Sequence, residues 1–180
     1  MLDDALADLV QLMGLETGWI WIKEPAAHNQ EEGSYALAAY HHLAPALDPD
    51  TASTWAGGCA CQRRCNEACA SDAYNMMQCS RLETASGDRR GLAVHASAAL
   101  RSGDRDLGIP NVAGPDWASF SPQSLALLTN VGNQMGAALE RARLYDLLRE
   151  QRIQEQATLL DFSHQLLGRL DLDDVIKLLV

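Results

Sequence analysis

The stretch "LGIPNVAGPDWASFSPQSLALLTNVGNQMGAALERARLY", residues 107–145, changes its hydrophobic period in the middle. Residues 106–113 read as a strand, whereas Ser121 followed by Pro122 has the chemistry of a helix N-cap and first helical position. Beyond them Leu125, Leu128, Val131, Met135, Ala138, Ala142 and Tyr145 follow helical steps, a heptad-like stripe along one long helix. The same spacing suits a helix packed on its own sheet and a helix that also pairs with a second copy. Pro110 removes a ladder donor inside the strand, which predicts a sheet edge or a local bulge there.

Working outward, residues 90–100 form another strand-like run, joined to 106–113 by a Ser-Gly-Asp turn. "GWIWIKE" (18–24) reads as a strand with Trp19 and Trp21 on one face and Ile20 and Ile22 on the other, so both faces are expected to be covered. "YALAAYHHL" (35–43) is the returning strand after the polar loop "HNQEEGS" (28–34). Leu2, Leu6, Leu9, Val10 and Met13 share one face of a helix over 2–14. "APALDPDTAS" (44–53) carries two prolines and helix-capping residues and reads as a loop with room for one helical turn. The predicted class is α/β (α+β): a central antiparallel sheet, flanking helices and a long C-terminal helix.

The formal charge of −10 argues against nucleic acid and against anionic membrane surfaces. The acidic N-terminus lacks the charge and apolar run of a secretory signal, and no stretch approaches the ~18–20 apolar residues that span a bilayer. These features predict a cytoplasmic protein whose thiols stay reduced.

All five cysteines lie in "CACQRRCNEACASDAYNMMQC", residues 59–79. If "CQRRCNEAC" is helical, Cys61, Cys65 and Cys69 share a face. Cys59 sits on a turn beside Gly57 and Gly58, and Cys79 follows after enough chain to return. Such a set fits metal chemistry better than a disulfide framework. An iron–sulfur cluster takes about four thiolates. Structural zinc also takes four, usually from paired knuckles that this spacing does not form. The remaining readings are a thiol switch, with Arg63 and Arg64 lowering a thiol pKa, and plain burial.

The order helix–strand–strand–loop–strand–strand–long helix resembles a GAF domain. The resemblance is carried by Asn111-Val112-Ala113 closing a strand, "FSP" at 120–122 and "ALERARLY" at 138–145, as in GAF sensor domains of bacterial histidine kinases. It covers about residues 3–148, which implies a sensor domain over 1–148 and a helical signalling linker over 149–158. "LLDFSHQLLGRLDLDDVIKLLV" (159–180) resembles the opening helix of a second GAF domain, cut short. Its "FSHQL" is similar to the phospho-accepting box of a kinase, but the Arg and Thr-Pro that usually follow are missing, so His164 is the lesser reading.

The cysteines also resemble a subset of these sensors, with C-x-C and then "NMMQCSRL" (75–82). That resemblance implies Cys59, Cys61 and Cys79 as ligands with Cys65 or Cys69 as the fourth. It implies an iron–sulfur cluster, [4Fe–4S] in preference to [2Fe–2S], with zinc as the alternative. The implied function is a non-enzymatic sensory module of a two-component histidine kinase, reading oxygen or redox state. Its implied partners are a second copy, through the N- and C-terminal helices, the parent's kinase domain and a response regulator. Ile153, Leu160 and Leu167 extend the heptad spacing. The alternative is a small-ligand or haem-binding module without a cluster. His95 is then the candidate axial ligand, and Trp19, Trp21, Trp55 and Trp117 candidate pocket walls; His28, His41 and His42 read as structural or solvated.

Overall fold

The computed structural model describes residues 1–24, 34–50, 55, 57–67, 75–78 and 80–169. Helix α1 (Leu2–Leu12) leads into β1 (Thr17–Lys23), which is flanked by β2 (Tyr35–His41) and by β6 (Arg105–Gly114), antiparallel on both sides. Then come a 3-10 turn at Pro45–Leu47, α2 (Ala60–Glu67), β3 (Asn75–Gln78) and α3 (Ser80–Thr84). β4 (Val94–Ser97) and β5 (Leu100–Ser102) precede β6, and α4 (Pro122–Arg169) follows it. Among the described residues the sheet order is β2-β1-β6-β4-β3, with β5 also paired to β6. The α+β class expected from the sequence is the class observed.

Strand β1 has the two-residue alternation read from its sequence. Ile20 joins a core with Leu6, Leu9, Val10 and Met13 from the α1 region, Ala96 and Val112 from the sheet, and Leu125, Leu128 and Met135 from α4. Trp19 and Trp21 join a second core on the opposite face, with Leu47, Leu82, Ala85, Ile109 and Ala113. Both faces are covered, so each side chain's direction is fixed by what it is buried in.

The sequence predicts one strand over 90–100, but the structure divides it. Arg90 and Gly91 both adopt positive φ and turn the chain, so β4 begins only at Val94. After Ser97 the chain breaks step at Ala98–Ala99 and resumes as β5, still against β6. This break answers Pro110. The proline lies in the central strand rather than at an edge, opposite Ile20 on one side. On its other side its carbonyl accepts from the Ala98 N–H at 3.2 Å. A strand residue's N–H and C=O point the same way, so the missing donor faces the irregularity and no ladder bond is lost. At the β5–β6 turn, Gly103 supplies the positive φ (58°) that a tight hairpin requires.

Helix α4 starts as its sequence predicts: the Ser124 N–H donates to Ser121 Oγ at 3.1 Å and Pro122 is the first helical residue. The apolar stripe then divides. Leu125, Leu128 and Met135 are buried against the sheet, while Ala138, Ala142 and Tyr145 are exposed. The chain falls into two units, Met1–Glu140 and a second that begins at Arg141. In the second unit every described side chain through Gln165 is exposed, including Leu144, Tyr145, Leu148, Ile153 and Leu160. No described helix is long and apolar enough to cross a membrane.

Two glycines let α4 approach the sheet. A Cβ on Gly132 would stand 2.8 Å from the Ala99 carbonyl oxygen, and one on Gly136 would strike the Arg101 backbone. A glycine-to-alanine change inside a helix ordinarily gains about 1 kcal/mol. Here backbone has to move, at ~1–3 kcal/mol, so the sign reverses. Gly132→Ala and Gly136→Ala are each expected to lower the urea midpoint, whereas Asn133→Ala on the exposed face raises it slightly. Stabilisation by Gly132→Ala would refute the close packing.

Candidate functional site

The site lies on the tryptophan face of the sheet. Gly57, at φ +72°, turns the chain into α2. Cys59 occupies the N-cap position: its carbonyl accepts from the Arg63 N–H at 3.1 Å, and its N–H donates to Gln62 Oε1 at 2.9 Å. That reciprocal bond is the capping-box arrangement, with a cysteine where serine or threonine is usual. Cys61 is then two positions on, and the first turn brings both thiols to the same place. Their sulfurs are 2.7 Å apart, and both residues are buried.

The Cys59 thiol is held down at about 6, first by its hydrogen bond with Cys61, then by the Gln62 backbone N–H and by Arg81; burial opposes these. The pair shares one hydrogen bond in which either sulfur can donate, and the lowered pKa favours the Cys59 thiolate. Arg81, itself buried, comes from α3 and donates through Nη2 to the Gly57 carbonyl at 2.8 Å. Its guanidinium carbon lies 4.7 Å from the Trp21 ring centroid and 5.4 Å from that of Trp55. The Ala60 N–H also reaches Ser80 Oγ at 3.4 Å, so α3 fixes the start of α2 from two sides.

The aromatic layer continues from there. Trp55 packs edge-on against Trp19 and Trp21, with centroids 6.0 and 5.4 Å apart, and donates through Nε1 to the Leu47 carbonyl. His95 is buried in β4 against Trp19, 5.6 Å between rings. Burial alone pushes its imidazole down to about 4, so it is neutral.

Of the sequence-predicted ligands, the structure brings together Cys59 and Cys61. Cys65 lies one turn further along α2, half-buried against the tryptophan core. Cys69 and Cys79 lie outside the described residues, as does His28. No three Cys, His, Asp or Glu side chains among the described residues gather to hold a metal ion. The donor set is nonetheless suited to soft metals: two thiols that meet, one with a lowered pKa.

Other expectations change. Arg63 is exposed, and the cation that acts on Cys59 is Arg81. Sequence reasoning missed this arginine as a site residue, although it stands inside the quoted "NMMQCSRL". Gln62 was also missed, because cysteine is not a usual partner in a capping box. Three of the four tryptophans gather on one face, whereas Trp117 is 47% exposed in a 3-10 turn. His41 and His42 stack on each other at 4.2 Å where β2 ends, and His164 is exposed on α4.

The family model for the GAF domain matches residues 1–140. Sensor histidine kinase YhcY of Bacillus subtilis (strain 168) is 37% identical over 148 residues, covering 79% of this chain and 38% of that protein. This chain therefore spans well under half of that relative. Among solved structures, the second GAF domain of DevS from Mycobacterium smegmatis aligns with a TM-score of 0.56 at 15% identity, over 81% of this chain and 95% of that one. The GAF domain of a phosphoenolpyruvate-protein phosphotransferase from Coxiella burnetii aligns with a TM-score of 0.56 at 13% identity, over 81% of this chain and 84% of that one. Those likenesses are of fold alone. With most of its length matched by the family model, the chain belongs to the GAF domain family.

Proposed function

We propose that the chain is the sensory module of a cytoplasmic sensor histidine kinase, and that its cysteine segment reads oxygen or redox state through an iron–sulfur cluster. The similarity to YhcY supports the kinase setting. The observation that carries the cysteine reading is the buried Cys59–Cys61 pair. Inert packing accounts for neither the 2.7 Å approach nor the lowered thiol pKa.

Two thiolates bound to one tetrahedral ion at 2.3 Å stand about 3.8 Å apart, so Cys59 and Cys61 need to part by only about 1 Å to share a metal. Cys79, with Cys65 or Cys69, completes the proposed set. Four thiolates give two per iron in [2Fe–2S] and one per iron in [4Fe–4S]. The pairing weighs toward [2Fe–2S], against the [4Fe–4S] form expected from the sequence; four-thiolate zinc is the metal alternative. When bound, a cluster supplies one-electron redox chemistry and sensitivity to oxygen.

The chain's own part is to hold the thiols and to feel their charge. Arg81 bonds the turn that carries Cys59 and lies on Trp21 and Trp55, so a shift of that turn moves a cation packed on the second core. The exposed apolar side chains of α4 beyond Glu140 are the proposed contact with a second copy. Through that paired helix the change reaches the kinase domain, and from there a response regulator.

Purified without oxygen and reconstituted with iron and sulfide, the protein is expected to be coloured and to bleach in air. Cys59→Ser, Cys61→Ser and Cys79→Ser should each lose iron; a colourless protein with no bound iron after reconstitution overturns the cluster.

In the metal-free protein, Cys59 alkylation followed peptide by peptide should fall as pH drops through about 6, because the thiolate exists only above that value. Cys61→Ala removes the largest stabilising contact and moves the midpoint up, toward the ordinary thiol value of about 8.5. An unmoved midpoint contradicts the pairing.

Sedimentation at micromolar concentration should show a dimer that Leu148→Asp weakens; a monomer of the unaltered chain ends the helix-relay reading.

A further inference from the structure

The Cys59–Cys61 contact has a chemistry of its own in the metal-free chain, and the backbone holds it in place. The Cys59 N–H is tied to Gln62 Oε1, and its carbonyl to the Arg63 N–H. Arg81 bonds the Gly57 carbonyl, and the Ala60 N–H reaches Ser80 Oγ. These bonds fix the turn and the first residues of α2, so the two sulfurs meet because of the helix cap that carries them. They stand 2.7 Å apart. A disulfide closes at about 2.05 Å, so less than about 1 Å of further approach makes the bond. Cys65, one turn along, packs instead against the tryptophan core.

Access selects the oxidant. Cys59 and Cys61 are only 5% and 2% exposed. The turn ahead of them is open, because Gly57 and Gly58 are exposed and a Cβ on Gly57 would meet nothing within 4 Å. An oxidant of two heavy atoms can pass where a branched organic peroxide cannot. Cys59 adjoins that turn, and Cys61 lies behind it.

We infer that Cys59 and Cys61 are a reversible oxidation site for hydrogen peroxide, with Cys59 as the attacked thiol and Cys61 as the one that closes the disulfide. In the first step the Cys59 sulfur takes one peroxide oxygen, the O–O bond breaks and one water leaves. The Cys61 sulfur then displaces that oxygen from the Cys59 sulfenic acid, and the Cys61 proton leaves with it as a second water. Two thiols and one peroxide thus give one disulfide and two waters. A thiol reductant restores the pair by exchange. Neither sulfur is a thiolate donor while the disulfide lasts, so the same reaction withdraws both from metal binding. The inference does not rest on the cluster: a colourless chain that closes this disulfide defeats only the cluster, and a coloured one whose metal-free form does not close it defeats only the oxidation site.

Tryptic peptides separate the pair from the other thiols. Trypsin cuts after Lys23, Arg63, Arg64 and Arg81, so residues 24–63 hold Cys59 and Cys61 alone, and residues 65–81 hold Cys65, Cys69 and Cys79. The full chain, reduced and freed of metal with a chelator, is treated with one equivalent of hydrogen peroxide, alkylated and analysed by mass spectrometry. Peptide 24–63 should lose two hydrogens, resist alkylation and recover both thiols with dithiothreitol. It should react at least about tenfold faster than the thiols of 65–81, since its closure is intramolecular between groups already in place. Cumene hydroperoxide should be at least about tenfold slower than hydrogen peroxide on 24–63. In Cys61→Ala, Cys59 should stop at the sulfenic acid and be trapped by dimedone, whereas Cys65→Ala should close as the unaltered chain does; tryptophan fluorescence checks that both variants fold. Peptide 24–63 joined to 65–81, or alkylated at both cysteines after peroxide, overturns the site. Equal rates with the two peroxides overturn the access route, and dimedone trapping at Cys61 in Cys59→Ala but not at Cys59 in Cys61→Ala overturns the assignment of roles.

Discussion

Strand β1 has no free side. It is hydrogen-bonded to β2 and β6 along both edges and buried on both faces, so its two-residue period sends each side chain into one core or the other. Ile20 meets α1 and α4, while Trp19 and Trp21 meet the 3-10 turn at 45–47, α3 and Trp55. A slip of one residue would exchange indoles for aliphatic chains across the whole sheet. Each tryptophan withdraws ~150–250 Å² from water, a gross gain of about 4–6 kcal/mol at ~25 cal/mol per Å². The register is therefore set firmly, and it decides where the site can lie: the helices that close the aliphatic face leave the other face to the cysteine turn.

Pro110, the break at Ala98–Ala99 and the glycines of α4 are one local solution. The proline cannot donate, so the strand beside it is allowed to lose step. Losing step leaves Ala99 and Arg101 backbone standing toward the aliphatic core. Helix α4 lies against that backbone only because positions 132 and 136, one turn apart, carry no side chain. The helix that leads out of the first unit is thus seated on the one irregular part of its sheet.

Much of this was legible in the chain. The alternation in β1, the Ser121 cap and the antiparallel class follow from local chemistry, and local chemistry is written in adjacent letters. The division of 90–100 was not, because it depends on positive φ at Arg90 and on a proline in another strand. The cysteine segment shows the same boundary. Their clustering singled the thiols out, and Cys61 and Cys65 do lie in one helix. That Cys59 and Cys61 would meet instead depends on a cap that cysteine rarely makes. Arg81 comes from a different element altogether, and no spacing rule connects it to Cys59.

Arg81 gives the sulfur chemistry a physical path into the fold. A buried guanidinium is costly unless its charge is met, and among the described residues the Cys59 sulfur, with its lowered pKa, is one group that meets it. While that sulfur stays anionic, whether free or bound to a metal, the cation is compensated on one side and rests on two indoles on the other. If the sulfur is protonated, that negative charge goes, while the Gly57 carbonyl and the indole faces still meet the guanidinium. The balance of forces on the guanidinium then changes, and Trp21 and Trp55 carry that group against their faces. Because those rings share a core with Trp19, Leu82 and Ile109, a change of one charge at sulfur becomes a change of packing on a whole face of the sheet.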